Sequence, residues 1–335
     1  MSTFTPTISA LPDSHLPDSP RSLWSDAWQR LSRRPSALIC MLIVALYLLI
    51  GLATFLPIFE KKISDPVADG YQSPRLLHKT AHGWHFSKFD EWLGTDIQGR
   101  PVIWRLLYGT RVALLITIFA SILSLGIGVI LGILAGYFGG WIDEIITWLF
   151  TTVSSIPWIL LMIAMVYALK GQTFPWFTIN HYRVHFAWAE LDPLVMIVIA
   201  LGLTDWVGIC RLIRAEVLKH RDRDYVQAAR AAGASTPRIL FRHIFPNIFH
   251  LVIITFSLGA VAYVQAEVVL TFLGLGISDR PSWGHMIDDA KLELLRGVWW
   301  QAVAATAAIG ILCLALNLLG DALRDALDPR LRGAD

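Results

Sequence analysis

The sequence predicts an all-α polytopic membrane protein with six transmembrane helices. Three observations predict it. The chain is 55% hydrophobic and only 16% charged, against about 25% charged in a soluble globule. Six apolar runs are each long enough to cross about 30 Å of hydrocarbon. Between the fourth and fifth runs, Arg211, Arg214, Lys219, His220, Arg221 and Arg223 concentrate basic residues, as cytoplasmic loops do. A net charge of only +2 carries no nucleic-acid footprint. Cys40, Cys210 and Cys313 lie in apolar segments without paired or metal-like spacing, so they read as small core residues.

Residues 1–36 form a cytoplasmic tail. Its first 20 residues, rich in Pro, Ser, Thr and Asp, are too polar to order themselves. From Ser22 to Arg34 an apolar stripe of Leu23, Trp24, Ala27, Trp28 and Leu31, with Arg30, Arg33 and Arg34 at one end, predicts a helix lying in the membrane interface. Residues 37–59 are the first span. They read as a span rather than a signal peptide, because 36 residues precede them and no cleavage site follows. Residues 60–111 are polar and form a small extracytoplasmic insert, ending in tight-turn chemistry around Asp96 and Gly99.

The core occupies residues 112–320. The second span is residues 112–138, where Gly128, Gly132 and Gly136, with Gly140 after them, repeat every fourth residue. That bares one helical face for close packing; a hinge is the other reading. A short GGWIDE link leads to the third span, residues 145–169, which Pro157 should kink. The fourth span is residues 193–213, the fifth 248–276 and the sixth 298–319. A charged cytoplasmic tail, residues 321–335, closes the chain.

The stretch from Arg221 to Asn247 carries the most design. Asp224 is placed to cap a helix and Gln227 to complete a capping box. Tyr225, Ala228, Ala229 and Ala232 fall at i, i+3, i+4 and i+7, a face small enough for another surface to approach. Gly233 sits where a left-handed cap would stop the helix. Thr236 and Pro237 read as a second start, and Pro246 as the entry to the fifth span. A solvated basic loop is the plainer reading of the same residues.

Nothing in the chain assembles catalysis. There is no G-x-x-x-x-G-K-[ST], HExxH, CxxC or G-x-S-x-G. Two acids lie inside spans: Asp205, nearer the cytoplasmic end of the fourth, and Glu267 in the fifth. Each costs about 2.5–3.5 kcal/mol at a helix centre and so must face protein or water. Both are candidates for lining a translocation path, and structural hydrogen bonding is the alternative.

Five motifs in order resemble the second-permease type of dipeptide/oligopeptide ABC importers. They are LGTD-x-x-GR from Leu93, AGYFGGWIDE (135–144), the loop with Gln227, Ala228, Ala229, Gly233 and Pro246, EVVLTFLGLG with PSWGHM (267–286), and NLLGDALRDALDPRLR (317–332). The loop resembles the EAA loop of these permeases, with Gln227 in place of Glu. Pro101 stands where Asp usually follows GR. The segment 11–89, apart from its first span, matches the pattern poorly. The resemblance implies the type I importer fold and a passive gate rather than an enzyme. It implies a second homologous permease, an extracytoplasmic substrate-binding protein, and two cytoplasmic ATPases that dock on the loop. It places ATP and Mg on those ATPases and no cofactor or metal on this chain. Peptides are the implied cargo, with nickel, glutathione and antimicrobial peptides as alternatives. A membrane-embedded enzyme would need a catalytic constellation that is absent, and a scaffold or ungated channel would need no docking finger.

Overall fold

The structure, a computed structural model, describes residues 23–75, 77–80, 83–86, 88–171, 173–180 and 183–327. The polar residues 1–20 and the last eight residues of the tail lie outside them. Thirteen α-helices are present among the described residues: α1 Leu23–Ser32, α2 Pro35–Ala53, α3 Pro57–Ser64, α4 Val102–Phe138, α5 Gly140–Ser154, α6 Trp158–Leu169, α7 Pro193–Thr204, α8 Trp206–Arg221, α9 Asp224–Ala231, α10 Thr236–Ile239, α11 Phe245–Phe272, α12 Trp283–Leu294 and α13 Trp300–Leu327. Two antiparallel hairpins, β1 Leu77–Thr80 with β2 Gly83–Phe86 and β3 Thr173–Asn180 with β4 Arg183–Glu190, lie in two of the polar segments between spans.

Five helices are long and apolar enough to cross a membrane, and a sixth span exists if α5 and α6 are counted together. That pair departs most from the sequence expectation. The kink foreseen at Pro157 is a break of 92°. Proline removes a backbone donor and clashes with the preceding turn. The hydroxyls of Thr152 and Ser155 add to the effect by bonding to backbone carbonyls at Trp148 and Thr152.

The other boundaries shift for local reasons. The first span ends at Ala53 rather than residue 59, since Pro57 opens the separate α3. The second begins ten residues earlier than predicted, at Val102, directly after Pro101. The fourth continues through the basic residues to Arg221, because Arg and Lys are good helix formers. The fifth is continuous from Thr236 to Phe272, so Pro246 lies within a helix instead of marking its entry. A π-helical turn at Leu240–Ile244 precedes Pro246, and the Asn247 side chain donates to the His243 carbonyl at 2.6 Å. The widened turn accommodates the missing proline donor. The sixth runs on to Leu327.

α4 is the axis of the bundle, packing on α8, α7, α11 and α2. Three of the four repeating glycines form its seam with α8. A β-carbon on Gly128 would lie 2.8 Å from the Trp206 carbonyl oxygen. On Gly132 it would lie 2.8 Å from that of Cys210, and on Gly136 2.8 Å from that of Arg214. Gly140 takes no part. A β-carbon there meets nothing within 4 Å; with φ at +54° it joins Gly139, φ +66°, in turning the chain into α5. Asp143 in the same link forms a two-pronged ion pair with Arg214 of α8, its Oδ2 accepting from Nη2 at 2.7 Å. The acid in a link that has no Lys or Arg of its own is thereby matched.

The expected surface helix exists as α1. Its Leu31 is buried against the end of α13, beside Ala322. Arg34 pairs with Asp325 at 2.7 Å, an exposed bridge that contributes at most about 1 kcal/mol.

Candidate coupling and translocation site

The polar stretch after α8 folds as a finger. α9 ends in a Schellman motif: the Ala234 amide donates to the Ala229 carbonyl and that of Gly233 to Arg230, both at 3.0 Å. Gly233 holds φ at +78°, as the sequence required. The expected capping box does not form. Arg223 occupies the cap without a side-chain bond and Asp224 is the first helical residue. Gln227 reaches back to the Asp222 carbonyl at 3.0 Å instead. A carboxylate in the first turn still favours the helix dipole.

The predicted small face divides. Tyr225, Ala228 and Ala232 are exposed, while Ala229 is half-buried. Ala229 follows Ala228 by 100° around the helix and so leans toward Val226, which is fully buried among Val217, Ile239, Ile244 and Ile248. Val226 is the finger's anchor and was not foreseen. The outward surface is therefore Tyr225, Ala228 and Ala232, with Gln227 and Arg230 beside them. The Tyr225 hydroxyl lies 2.7 Å from His220 Nδ1, bracing the finger on α8.

The two intramembrane acids sit in different settings. Glu267 is 2% exposed and lies about one and a half turns from the end of α11. Thr271 donates to its Oε1 at 3.0 Å. Ser282 and the Gly284 backbone, at the start of α12, face the same carboxyl. A β-carbon on Gly284 would lie 2.9 Å from Oε1, so the glycine permits the approach. A carboxyl held by a helix N-terminus in this way is stabilised by the unpaired amides there. Asp205 stands at the junction of α7 and α8, level with Gly128 of α4 and within the fourth spanning segment, Pro193–Arg221. Its Oδ2 accepts from the Tyr263 hydroxyl at 2.6 Å.

At the end opposite the finger, a buried polar network joins segments distant in the chain. Asp96 is fully buried and accepts from Arg105 at 2.9 Å, from Arg100 at 2.7 Å, and from the amides of Gln98 and Arg100 at 2.9 Å. Arg105 also donates to Asp289 of α12 at 2.9 Å and to Gln301 of α13 at 3.2 Å. Burial, then the neighbouring carboxylates of Asp289 and Asp96, push the Glu293 carboxyl above its ordinary range. Residues 67–72 of the insert pair with this turn, Val67 to Gly99 and Tyr71 to Asp96, which gives that part of the insert a bracing role.

Comparison with known families settles the kind of protein. Residues 128–333 match the binding-protein-dependent transport system inner membrane component, and residues 22–74 match the N-terminal TM domain of oligopeptide transport permease C. The chain belongs to this family of transport permeases. It is thus a membrane subunit of a binding-protein-dependent transporter, an inner-membrane multi-pass permease rather than an enzyme. The match at 22–74 corrects, for those residues, the expectation that the segment 11–89 fits the family poorly beyond its first span. The chain is 33% identical to a dipeptide transport system permease protein of Bacillus subtilis over 93% of this chain and 87% of that one. It is 33% identical to an oligopeptide transport system permease protein of the same organism, over 93% and 91%. It is 32% identical to a glutathione transport system permease protein of Pectobacterium atrosepticum, over 94% and 93%.

Besides Val226, two elements of the permease had no counterpart in the sequence expectations. One is the Arg105–Asp289 link, whose partners are 184 residues apart. The other is Gln265, which is exposed on α11 in a stripe with Leu258, Ala262 and Phe272. A polar amide on an otherwise apolar helical stripe is the signal that marks it.

Replacing Glu267 should discriminate its roles. If the carboxyl clasps α12, Glu267→Gln keeps most hydrogen bonds and transport falls only a few-fold. Glu267→Leu leaves buried polar partners unpaired, at a cost of about 1–3 kcal/mol, and transport and thermal stability fall together. Equal damage to transport by both variants at unchanged stability would assign the charge to the cargo instead.

Proposed function

We propose that this permease forms half of the membrane path of an ABC importer for short peptides, including peptides of glutathione size. A second homologous permease supplies the other half, a binding protein delivers cargo from outside, and two cytoplasmic ATPases drive the cycle. One observation carries the reading: the finger presents a small exposed face on a helix stopped by Gly233, in a chain one-third identical to dipeptide and oligopeptide permeases. Tyr225, Ala228 and Ala232 dock in a cleft of an ATPase with Gln227 beside them; Asp224, Ala229, Gly233 and Pro246 shape the finger. The basic residues from Arg211 to Arg223 support a cytoplasmic finger, and an even number of spans then supports both termini on that same side. ATP closes the ATPase pair, the finger moves with its cleft, and the bundle opens outward. Gln265 supports the pairing of two permeases, since an amide on a spanning face is stable only against protein or water.

The test is ATP-driven uptake of labelled dipeptide and glutathione by proteoliposomes holding both permeases and both ATPases, with the binding protein outside. Uptake of at least one cargo that stops without the binding protein is expected. In intact cells, Asp224→Cys should resist a membrane-impermeant thiol reagent. Labelling from outside would invert the topology, and absence of uptake for every peptide would overturn the cargo class.

A further inference from the structure

A helix break and a helix junction face each other across one recess. On one side α5 and α6 part at Pro157; on the other α7 gives way to α8 at Asp205. Between them lies a recess of about 320 Å³, lined by Ser154, Pro157, Trp158, Thr204, Asp205 and Gly208. Its volume suits a small polar group with part of its backbone. Irregular backbone inside a spanning segment persists only where protein or water covers it. A carboxyl there has the same requirement. Tyr263 holds one oxygen of Asp205, which fixes the side chain and leaves the other oxygen to the recess. The Thr204 hydroxyl is committed to the Ala200 carbonyl at 2.8 Å, so it competes little for that oxygen. On the finger side, Arg211 donates to Ser154 Oγ at 3.1 Å. The recess thus has an anionic wall and a cationic rim, opposite in sign to the two ends of a zwitterion.

We propose that this recess is a cargo subsite for a primary ammonium group, with Asp205 as its counter-charge. The proposal rests on the importer reading and adds the part of the cargo that is recognised within the membrane. A short peptide with a free amino terminus satisfies it; an N-acylated peptide of the same length does not.

Gly208 offers a direct probe, because a β-carbon there meets nothing within 4 Å. The experiment uses the assembled complex carrying Gly208→Cys, with Cys40, Cys210 and Cys313 replaced by alanine. A trimethylammonium methanethiosulfonate and a neutral one of similar size are compared, each relative to its rate on a free thiol. With Asp205 present the cationic reagent should be favoured by about tenfold, the lower end of electrostatic focusing in a cleft. Asp205→Asn should abolish the preference, while Tyr263→Phe, which keeps the carboxyl, should retain it. Alanyl-alanine delivered at saturation of the binding protein should slow labelling, and N-acetyl-alanyl-alanine should not. Absence of labelling in every nucleotide state, a preference indifferent to Asp205→Asn, or equal protection by both peptides would each overturn the proposal. A complex that imports no peptide yet shows the preference would sink the importer reading and leave the cation site standing.

Discussion

Gly132→Leu is expected to prevent the permease from accumulating as a folded chain. The new β-carbon would lie 2.8 Å from the Cys210 carbonyl oxygen and 2.9 Å from the Ile213 β-carbon. Both belong to the backbone or its first side-chain atom, so neither can rotate away. α4 and α8 must separate along their shared length, and the leucine then props them apart. Overpacking typically costs about 1–3 kcal/mol; here the clash is with main chain, and the effect should exceed that range. Gly126→Leu is the internal control, because a β-carbon at Gly126 meets nothing within 4 Å. The measurement is membrane yield and the Tm of the detergent-purified complex. Normal values for Gly132→Leu would mean that the seam is loose enough to act as a hinge after all.

The second large effect is expected at the finger. Ala228→Trp adds a large ring on the exposed side and leaves the finger's own core, built on Val226, untouched. ATPase association and cargo-stimulated hydrolysis should fall together, by about tenfold or more if the lost contact is worth 1.4 kcal/mol. Gly233→Val acts differently. Its φ of +78° adds about 1–2 kcal/mol of strain for a residue with a β-carbon, and relief would undo the Schellman turn. The same two readouts should decline, with a lower Tm besides. Affinity of the binding protein for cargo should not change in either variant. Wild-type stimulated hydrolysis with Ala228→Trp would show that this surface is not the docking face. Ala229→Trp is the poorer probe, since a half-buried position confounds docking with folding.

The parts of this architecture that sequence revealed are those set by local rules. Apolar length located the spans, the four-residue glycine spacing located a packing face on α4 though not its partner α8, and the position of Gly233 predicted its backbone. Three further features depend on contacts that no local pattern encodes. Arg105 and Asp289 meet only once the bundle has closed. Val226 anchors the finger, and Ala229 of the expected outer face turns partly inward, because Val217, Ile239, Ile244 and Ile248 of neighbouring elements fix the rotation of α9. Pro157 breaks a helix and Pro246 does not, though both are prolines in apolar surroundings. The difference lies in the turns before them: α5 ends in hydroxyl side chains that compete for its carbonyls, whereas Pro246 follows a π turn that has already widened the ladder.

The uninterrupted helix from Thr236 to Phe272 has 37 residues, a length of about 55 Å. One end is the second half of the finger and the other carries Glu267 and its clasp on α12. The permease therefore owns a single lever that crosses the whole bilayer. A tilt of about 5° about its midpoint moves each tip by over 2 Å in opposite directions, as the length of about 55 Å requires. On the proposed coupling role of the finger, a push received there would reach the far surface as displacement of one covalent body, with no relay of side-chain rearrangements between.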